Sequence, residues 1–385
     1  MIDRQRYQKI LDEIKDAGLW KEERVITTQQ SALIDTTKAK GVLNFCANNY
    51  LGLANNPELM KAARDSYAKY GYGMSSVRFI CGTQTVHKEL EHALSEFLGT
   101  EDTILYSSCF DANGGLFETI TTEKDAIISD ALNHASIIDG IKLSGAQFTR
   151  FPHNDFVRLE EIVASKINDY ERILIIVESV YSMDGDTADI QALADIKRRH
   201  GERVTLYVDE AHAVGVCGPA GLGLVASADA VADVDIIVGT FGKALASVGA
   251  FAVMSPTMRD FMVNKARSLI FSTALPPLNI AWTEFIFRRM MDMDTERDAL
   301  AVLGRHLANA LNCDEPGHIR PLIVGDPRLA VELSNKLLAA GFKVLPIRTP
   351  TVPPGTERLR FSLSAAITTD EIDRLGQTLK TLGIR

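Results

Sequence analysis

Hydrophobic residues along the chain fall into two rhythms. Short, almost continuous apolar runs occur at Thr103–Tyr106, Ala126–Ser129, Arg172–Glu178, Val204–Asp209, Val234–Val238 and Ala250–Met254. Their length and their Val and Ile content predict buried strands. Between and before them, apolar positions recur every three or four residues. That spacing predicts helices over 3–17, 57–70, 86–98, 111–120, 136–143 and 190–200, with Pro57 suited to a first helical turn. Continuous apolar strands alternating with helices imply an α/β fold: a large domain whose mostly parallel sheet is covered by helices on both faces.

Past Pro276-Pro277 the rhythm changes. A long helix over 278–293 leads into short strands at 319–324, 342–345 and 358–363 and a helix over 328–341. A last helix starts near Thr369, capped by Thr368 or Thr369, with Glu371 in its first turn. The pattern divides the chain into an N-terminal arm and helix (1–45), a large domain (46–277) and a smaller C-terminal α+β domain (278–385).

Composition narrows the classes. A length of 385 residues suits one large and one small domain. The net charge of −9, with no basic run, argues against nucleic acid as a partner. No apolar run approaches the ~18 residues of a membrane span, and the N-terminus is amphipathic where a signal core would be apolar. Five cysteines (Cys46, Cys81, Cys109, Cys217, Cys313) are scattered without Cys-x-x-Cys spacing. Neither a disulfide frame nor a metal site is indicated, and a cytoplasmic protein is expected.

Ligands of a parallel sheet gather at the carboxyl ends of its strands, and several polar groups stand there. Asp209-Glu210-Ala211-His212 closes one strand, Asn133-His134-Ala135-Ser136 follows another, and Ser182-Met183-Asp184-Gly185 follows a third. Ser107 to Asn113 bridges a strand to a helix start, where free N–H groups suit a phosphate. Gly239-Thr240-Phe241-Gly242-Lys243-Ala244 places a lysine among small residues. Each has an ordinary reading alone: a solvated lysine in a turn, a satisfied buried acid, a core histidine. Together they offer an anion cradle, an acid for a cationic ring nitrogen, a histidine for a flat ring and an amine for an aldehyde. Pyridoxal 5′-phosphate has those needs. No Gly-x-Gly-x-x-Gly follows the first strand and the Gly-x-x-x-x-Gly-Lys-Ser/Thr spacing is missing, so nicotinamide and P-loop readings are weaker.

Asp209-Glu210-Ala211-His212-Ala213-Val214-Gly215 followed by Thr240-Phe241-Gly242-Lys243 resembles the α-oxoamine synthase family. So do Asn48-Asn49-Tyr50-Leu51-Gly52-Leu53, Gly82-Thr83-Gln84, Asn133-His134-Ala135-Ser136 and Phe271-Ser272-Thr273. The resemblance runs from about residue 20 to the C-terminus. It implies a fold-type I pyridoxal phosphate transferase that condenses an amino acid with an acyl thioester and releases CO2. It makes Lys243 the Schiff-base lysine and α-carbon acid/base, Asp209 the partner of the ring nitrogen, His134 the ring stack, and Ser182 and His212 neighbours of the ring hydroxyl. The backbone at Cys109 and Phe110 and the Thr240 hydroxyl hold the phosphate. Thr273 reaches the phosphate of a second subunit, which implies a homodimer with shared sites. Arg360 binds the amino acid carboxylate, and Asn48, Arg24 and Thr351 are further substrate contacts. The family often has glycine where Cys109 stands.

The two halves lean toward different branches of that family. Residues 45–140 are similar to members that join glycine to acetyl-CoA. Arg320 to Asp326, Ile347 to Thr356 and Arg358-Leu359-Arg360 are similar to members that join alanine to a pimeloyl thioester in biotin synthesis. The tail is expected to decide, because its 348–355 loop should border the acyl chain. A same-fold aminotransferase and a non-catalytic relative lacking the lysine are the alternatives; Lys243 argues against the second.

Overall fold

A computed structural model describes residues 3–384. Its main sheet has seven strands, in spatial order Asp102–Tyr106, Ala250–Met254, Ile236–Thr240, Val204–Asp209, Arg172–Glu178, Asp125–Asp130 and Gln147–Phe151. Ala250–Met254 pairs antiparallel with both neighbours and every other pairing in the sheet is parallel. The expected α/β architecture is therefore present. The inner strands are buried along their length, as strands covered on both faces must be.

The predicted helices form where their caps allow. Pro57–Tyr70 starts behind Asn56, whose side chain accepts from the Glu58 N–H. Thr369–Thr381 starts with a full capping box between Thr368 and Glu371. The strand expected at 234–238 begins at Ile236 instead. The Asp235 carboxylate takes the Leu206 N–H at 2.7 Å and pairs with Lys197 at 2.8 Å, so a side chain replaces the ladder carbonyl there. The strand's last residue is Thr240. The strand expected at 342–345 is two strands: Phe342–Lys343 pairs with Val42–Asn44, and Leu345–Ile347 with Arg358–Ser362.

Contacts divide the chain into two units. One holds Asn56–Ser182 and Asp186–Arg297, including the seven-stranded sheet and the helix Pro277–Met291. The other holds the residues up to Asn55, Met183–Gly185, and those from Asp298 onward. In this second unit the N-terminal segment is built into the C-terminal fold: Val42–Asn44 lies between Leu33–Ile34 and Phe342–Lys343. The antiparallel sheet Ile319–Ile323, Arg358–Ser362, Leu345–Ile347 completes it. The first helix, Arg4–Asp16, is amphipathic as expected, yet Tyr7, Ile10 and Leu11 on its apolar face are exposed. Among the described residues, no helix is long and apolar enough to cross a membrane.

Candidate active site

The carboxyl ends of four adjacent strands carry Thr240, Asp209, Glu178 and Asp130 as their last residues. Parallel register sets Glu178 directly beside Asp209. Two buried carboxylates side by side are costly unless donors or protons compensate, and each finds its own compensation.

Asp209 is supplied with donors. Its Oδ1 accepts the Ala211 N–H at 2.9 Å. Its Oδ2 accepts from the Asn113 amide at 3.2 Å and from the Cys109 thiol at 3.6 Å. The Tyr207 hydroxyl, buried two residues earlier on the same strand, donates in turn to Asn113 Oδ1. Burial, and then the Asp209 charge, push the Cys109 thiol well above its usual range, so it stays an S–H donor. A side chain at the position where the family often has glycine thus faces the very acid assigned to the ring nitrogen.

Glu178 takes the other course. Full burial, and then the neighbouring Asp209 charge, push its carboxyl up to about 8, and its Oε1 accepts the His134 N–H. Sequence reasoning passed over Glu178. The sequence marks it only as a charged residue ending an otherwise apolar run; the fold alone sets it in register with Asp209. In the unfolded chain this acid ionises near 4.5. Between that value and 8 the folded protein holds a proton that the unfolded chain has released, so this group makes stability fall as pH rises. Glu178→Gln keeps the acceptor for His134 and removes the titration. The apoprotein of this variant is expected to melt higher than wild type at pH about 8 to 9, and alike at pH about 5. Thermal melts across that range check it, and a parallel decline in both proteins would refute it.

His134 sits at the N-cap of the helix Ala135–Leu143. The Ser136 N–H donates to its Nδ1 at 3.2 Å, which leaves the ring proton on Nε2. Burial first, and then the Lys243 charge against the opposing pull of Asp209, hold the imidazole below its usual range and therefore neutral. Ser136 also accepts from Asn113 at 2.9 Å, so the His134 and Asp209 networks are continuous.

Lys243 is half-buried in the turn between Ile236–Thr240 and Ala250–Met254. The turn is laced by Phe241 N–H to Gly249 O at 2.9 Å and Ser247 N–H to Phe241 O at 2.8 Å. Thr240 Oγ1 accepts the Gly242 N–H and donates to Gly249 O, both at 3.2 Å. The lysine's charge acts on Cys109, His134 and Glu178 alike. Ser182 and His212 are buried just past their strand ends. Cys109 and Phe110 open the helix Cys109–Ile120, capped by Ser108 through the Asp111 N–H. The first N–H groups of a helix have no partner within it, so a phosphate finds donors there. Thr273 lies in an exposed stretch tied to Ser76 O by the Ala274 N–H at 3.2 Å. The donor set fits pyridoxal phosphate: an anion cradle, a buried and fully donated carboxylate, a neutral imidazole and a reachable amine.

The remaining expected residues belong to the other unit. Arg360 is buried on the middle strand of the small sheet, and its guanidinium donates to Asn48 Oδ1 at 3.2 and 3.3 Å. The Ser362 hydroxyl donates to the same oxygen at 3.1 Å. Arg24 and Thr351 line one pocket of about 820 Å³ together with Lys21, Arg328, Lys343 and Arg348. Arg348 is fastened to the carbonyls of Gly18 and Trp20 at 2.6 and 3.0 Å. Arg24 Nη2 reaches Asn335 at 3.1 Å, while its buried Nη1 meets no acceptor.

Comparison with known proteins identifies the family. A model of the class I and II aminotransferase family matches residues 40–379. A putative 8-amino-7-oxononanoate synthase of Pasteurella multocida (strain Pm70) is 43% identical over 349 residues, covering 89% of this chain and 90% of its own. A 2-amino-3-ketobutyrate coenzyme A ligase of Escherichia coli (strain K12) is 40% identical over 394 aligned positions, covering 98% of this chain and 97% of its own. A lysine-to-alanine variant of serine palmitoyltransferase from S. paucimobilis, solved with a bound pyridoxal phosphate–myriocin aldimine, superposes with a TM-score of 0.92 at 27% identity over all of both chains.

Proposed function

For a chain that belongs to the class I and II aminotransferase family and, within it, to the pyridoxal-phosphate-dependent α-oxoamine synthases, we propose that it joins L-alanine to a pimeloyl thioester. The products are 8-amino-7-oxononanoate, CO2 and free thiol, in biotin biosynthesis. The observation that carries this reading is the cation-lined pocket holding Arg24 and Thr351, with a buried Arg24 nitrogen that no protein acceptor satisfies. A pimeloyl chain ends in a carboxylate that such a nitrogen would bind as a charge-assisted partner. An acetyl group offers nothing to it.

Bound at this site, pyridoxal phosphate supplies an aldehyde for the amino group and an electron sink for charge at the α-carbon. The chain's own groups do the rest. Lys243 takes the α-proton and returns a proton to the same carbon. Asp209, held by Asn113, Cys109 and Ala211, would keep a proton on the ring nitrogen. Neutral His134 would lie on the ring without adding charge, and Ser182 and His212 would hold the ring hydroxyl. Arg360, steadied by Asn48, binds the amino acid carboxylate. One C–C bond forms between the α-carbon and the thioester carbonyl as the C–S bond breaks, and the α-carboxyl then leaves as CO2. Thr273 completes the phosphate site of a second copy, making a homodimer.

The rival reading, glycine with acetyl-CoA, has its own support in the full-length similarity to the 2-amino-3-ketobutyrate ligase. Thiol release with alanine or glycine against pimeloyl-CoA or acetyl-CoA separates the two. Alanine with pimeloyl-CoA is expected to exceed the other pairs in kcat/KM by at least about tenfold, and Arg24→Ala to lose that margin. Glycine with acetyl-CoA as the best pair would establish the rival.

A further inference from the structure

His153 stands just past the edge strand Gln147–Phe151, outside the set of residues assigned to cofactor or substrate. Both of its ring nitrogens face carboxylates. Nδ1 lies 2.9 Å from Asp130 Oδ1, and Nε2 lies 2.6 Å from Asp186 Oδ2. A neutral imidazole has one N–H, so it would leave a lone pair against one of the two acids. Two ionised carboxylates facing the ring therefore favour the imidazolium. The ring also packs edge-on against Tyr181, with centroids 4.4 Å apart. Asn154 reinforces the bridge: its N–H donates to Asp130 Oδ2 at 3.0 Å and its amide to Asp186 Oδ2 at 3.1 Å.

Each acid shapes a turn that delivers an assigned residue. Asp130, fully buried, takes the Leu132 N–H at 2.8 Å and so shapes the turn carrying Asn133 and His134. Asp186 takes the Tyr181 N–H on its carbonyl at 3.0 Å, next to the bridge between Val180 and Thr187. That contact fixes the approach to Ser182. We propose that His153 is a positioning residue: an ionic clip that sets the turn bearing His134 against the turn bearing Ser182. The inference rests on the reading of those two residues as cofactor contacts. Burial opposes the charge on His153, but the bonds to Asp130 and Asp186 prevail and push it up to about 10. The clip is thus closed throughout the neutral range. Its contribution to stability is complete below the unfolded histidine value of 6.5 and is lost as pH rises through the folded one.

The test uses the full chain with added pyridoxal phosphate. His153→Gln can donate to one acid only, and its oxygen faces the other. Its cofactor dissociation constant is expected to rise about tenfold or more, and amide exchange at 131–134 and 179–187 to quicken in the apoprotein. The double variant His153→Gln/Asp186→Asn restores a two-sided bridge, because the amide introduced by the second substitution can donate to the new glutamine oxygen. It should recover affinity to within about threefold of wild type. Wild-type affinity and exchange in His153→Gln, or no recovery in the double variant, would overturn the proposal. Should His153→Gln not fold, Asp186→Ala alone decides. It removes the carboxylate that Nε2 faces, so the clip is cut and the cofactor dissociation constant should rise about tenfold or more. Wild-type affinity in that variant overturns the clip. Ser182→Ala and His134→Ala run alongside: if neither weakens the cofactor, it is the contact reading that fails.

Discussion

Lys243→Ala is expected to bind pyridoxal phosphate without the absorption band of a lysine-bound cofactor and to turn over at least about 10⁴-fold more slowly, the upper range for a general base. Two roles are lost at once. The amine that captures the aldehyde and the base that moves the α-proton are one nitrogen. The laced turn of Phe241, Ser247 and Gly249 needs no lysine side chain, so the variant should fold and melt close to wild type. Absorbance, thiol release and thermal melting check the three parts together. Retained turnover in a folded variant would remove Lys243 from the chemistry.

Asp209→Asn has the second largest expected effect. The amide is isosteric, yet Oδ2 now accepts from both Asn113 and Cys109. Placing an NH2 there sets donor against donor; turning the amide over sets it against the Ala211 N–H instead. Either way one buried donor is left unpaired, at a cost of about 1–3 kcal/mol. The ring nitrogen would lose its anionic partner as well, and kcat should fall by about 10²–10³. Removing that charge also takes away the support that opposes the downward shift on His134 and part of the upward shift on Glu178. Both groups should therefore titrate lower in the variant. NMR of the His134 ring protons would read this directly, and an unchanged titration would show that Asp209 does not face it.

Much of the site was legible because parallel α/β chains announce their strand ends. Asp209, His134, Ser182 and Lys243 all lie just past apolar runs, and the structure puts those runs side by side. Long helices with clear caps, such as Pro57–Tyr70 and Ile190–His200, were read at their true bounds. What escaped did so for physical reasons. Gln147–Phe151 is an edge strand with mostly exposed side chains, so its pattern lacks the apolar run of a central strand. Asp294–Leu311 carries Leu300, Leu303, Leu307 and Leu311 at helical spacing, but charged residues dilute its start. Glu178 was hidden by its own strand, whose apolar run drew attention away from its end. His153 could not be read at all, since Asp130 and Asp186 are distant in sequence and only the fold makes them neighbours. Periodicity announced the Arg4–Asp16 helix but carried no information about what its apolar face meets.

The one antiparallel strand of the main sheet has a consequence for assembly of the site. Parallel neighbours such as Arg172–Glu178 and Val204–Asp209 are joined only through a long crossover that carries a helix. Ile236–Thr240 and Ala250–Met254 meet through a nine-residue turn, a short loop with little closure entropy to overcome. Contacts so local in sequence form early and cheaply compared with those across the rest of the sheet. The lysine thus rides on a short-range closure of the rim, and its turn is expected to form before the longer-range pairings bring Asp209 and His134 to meet it.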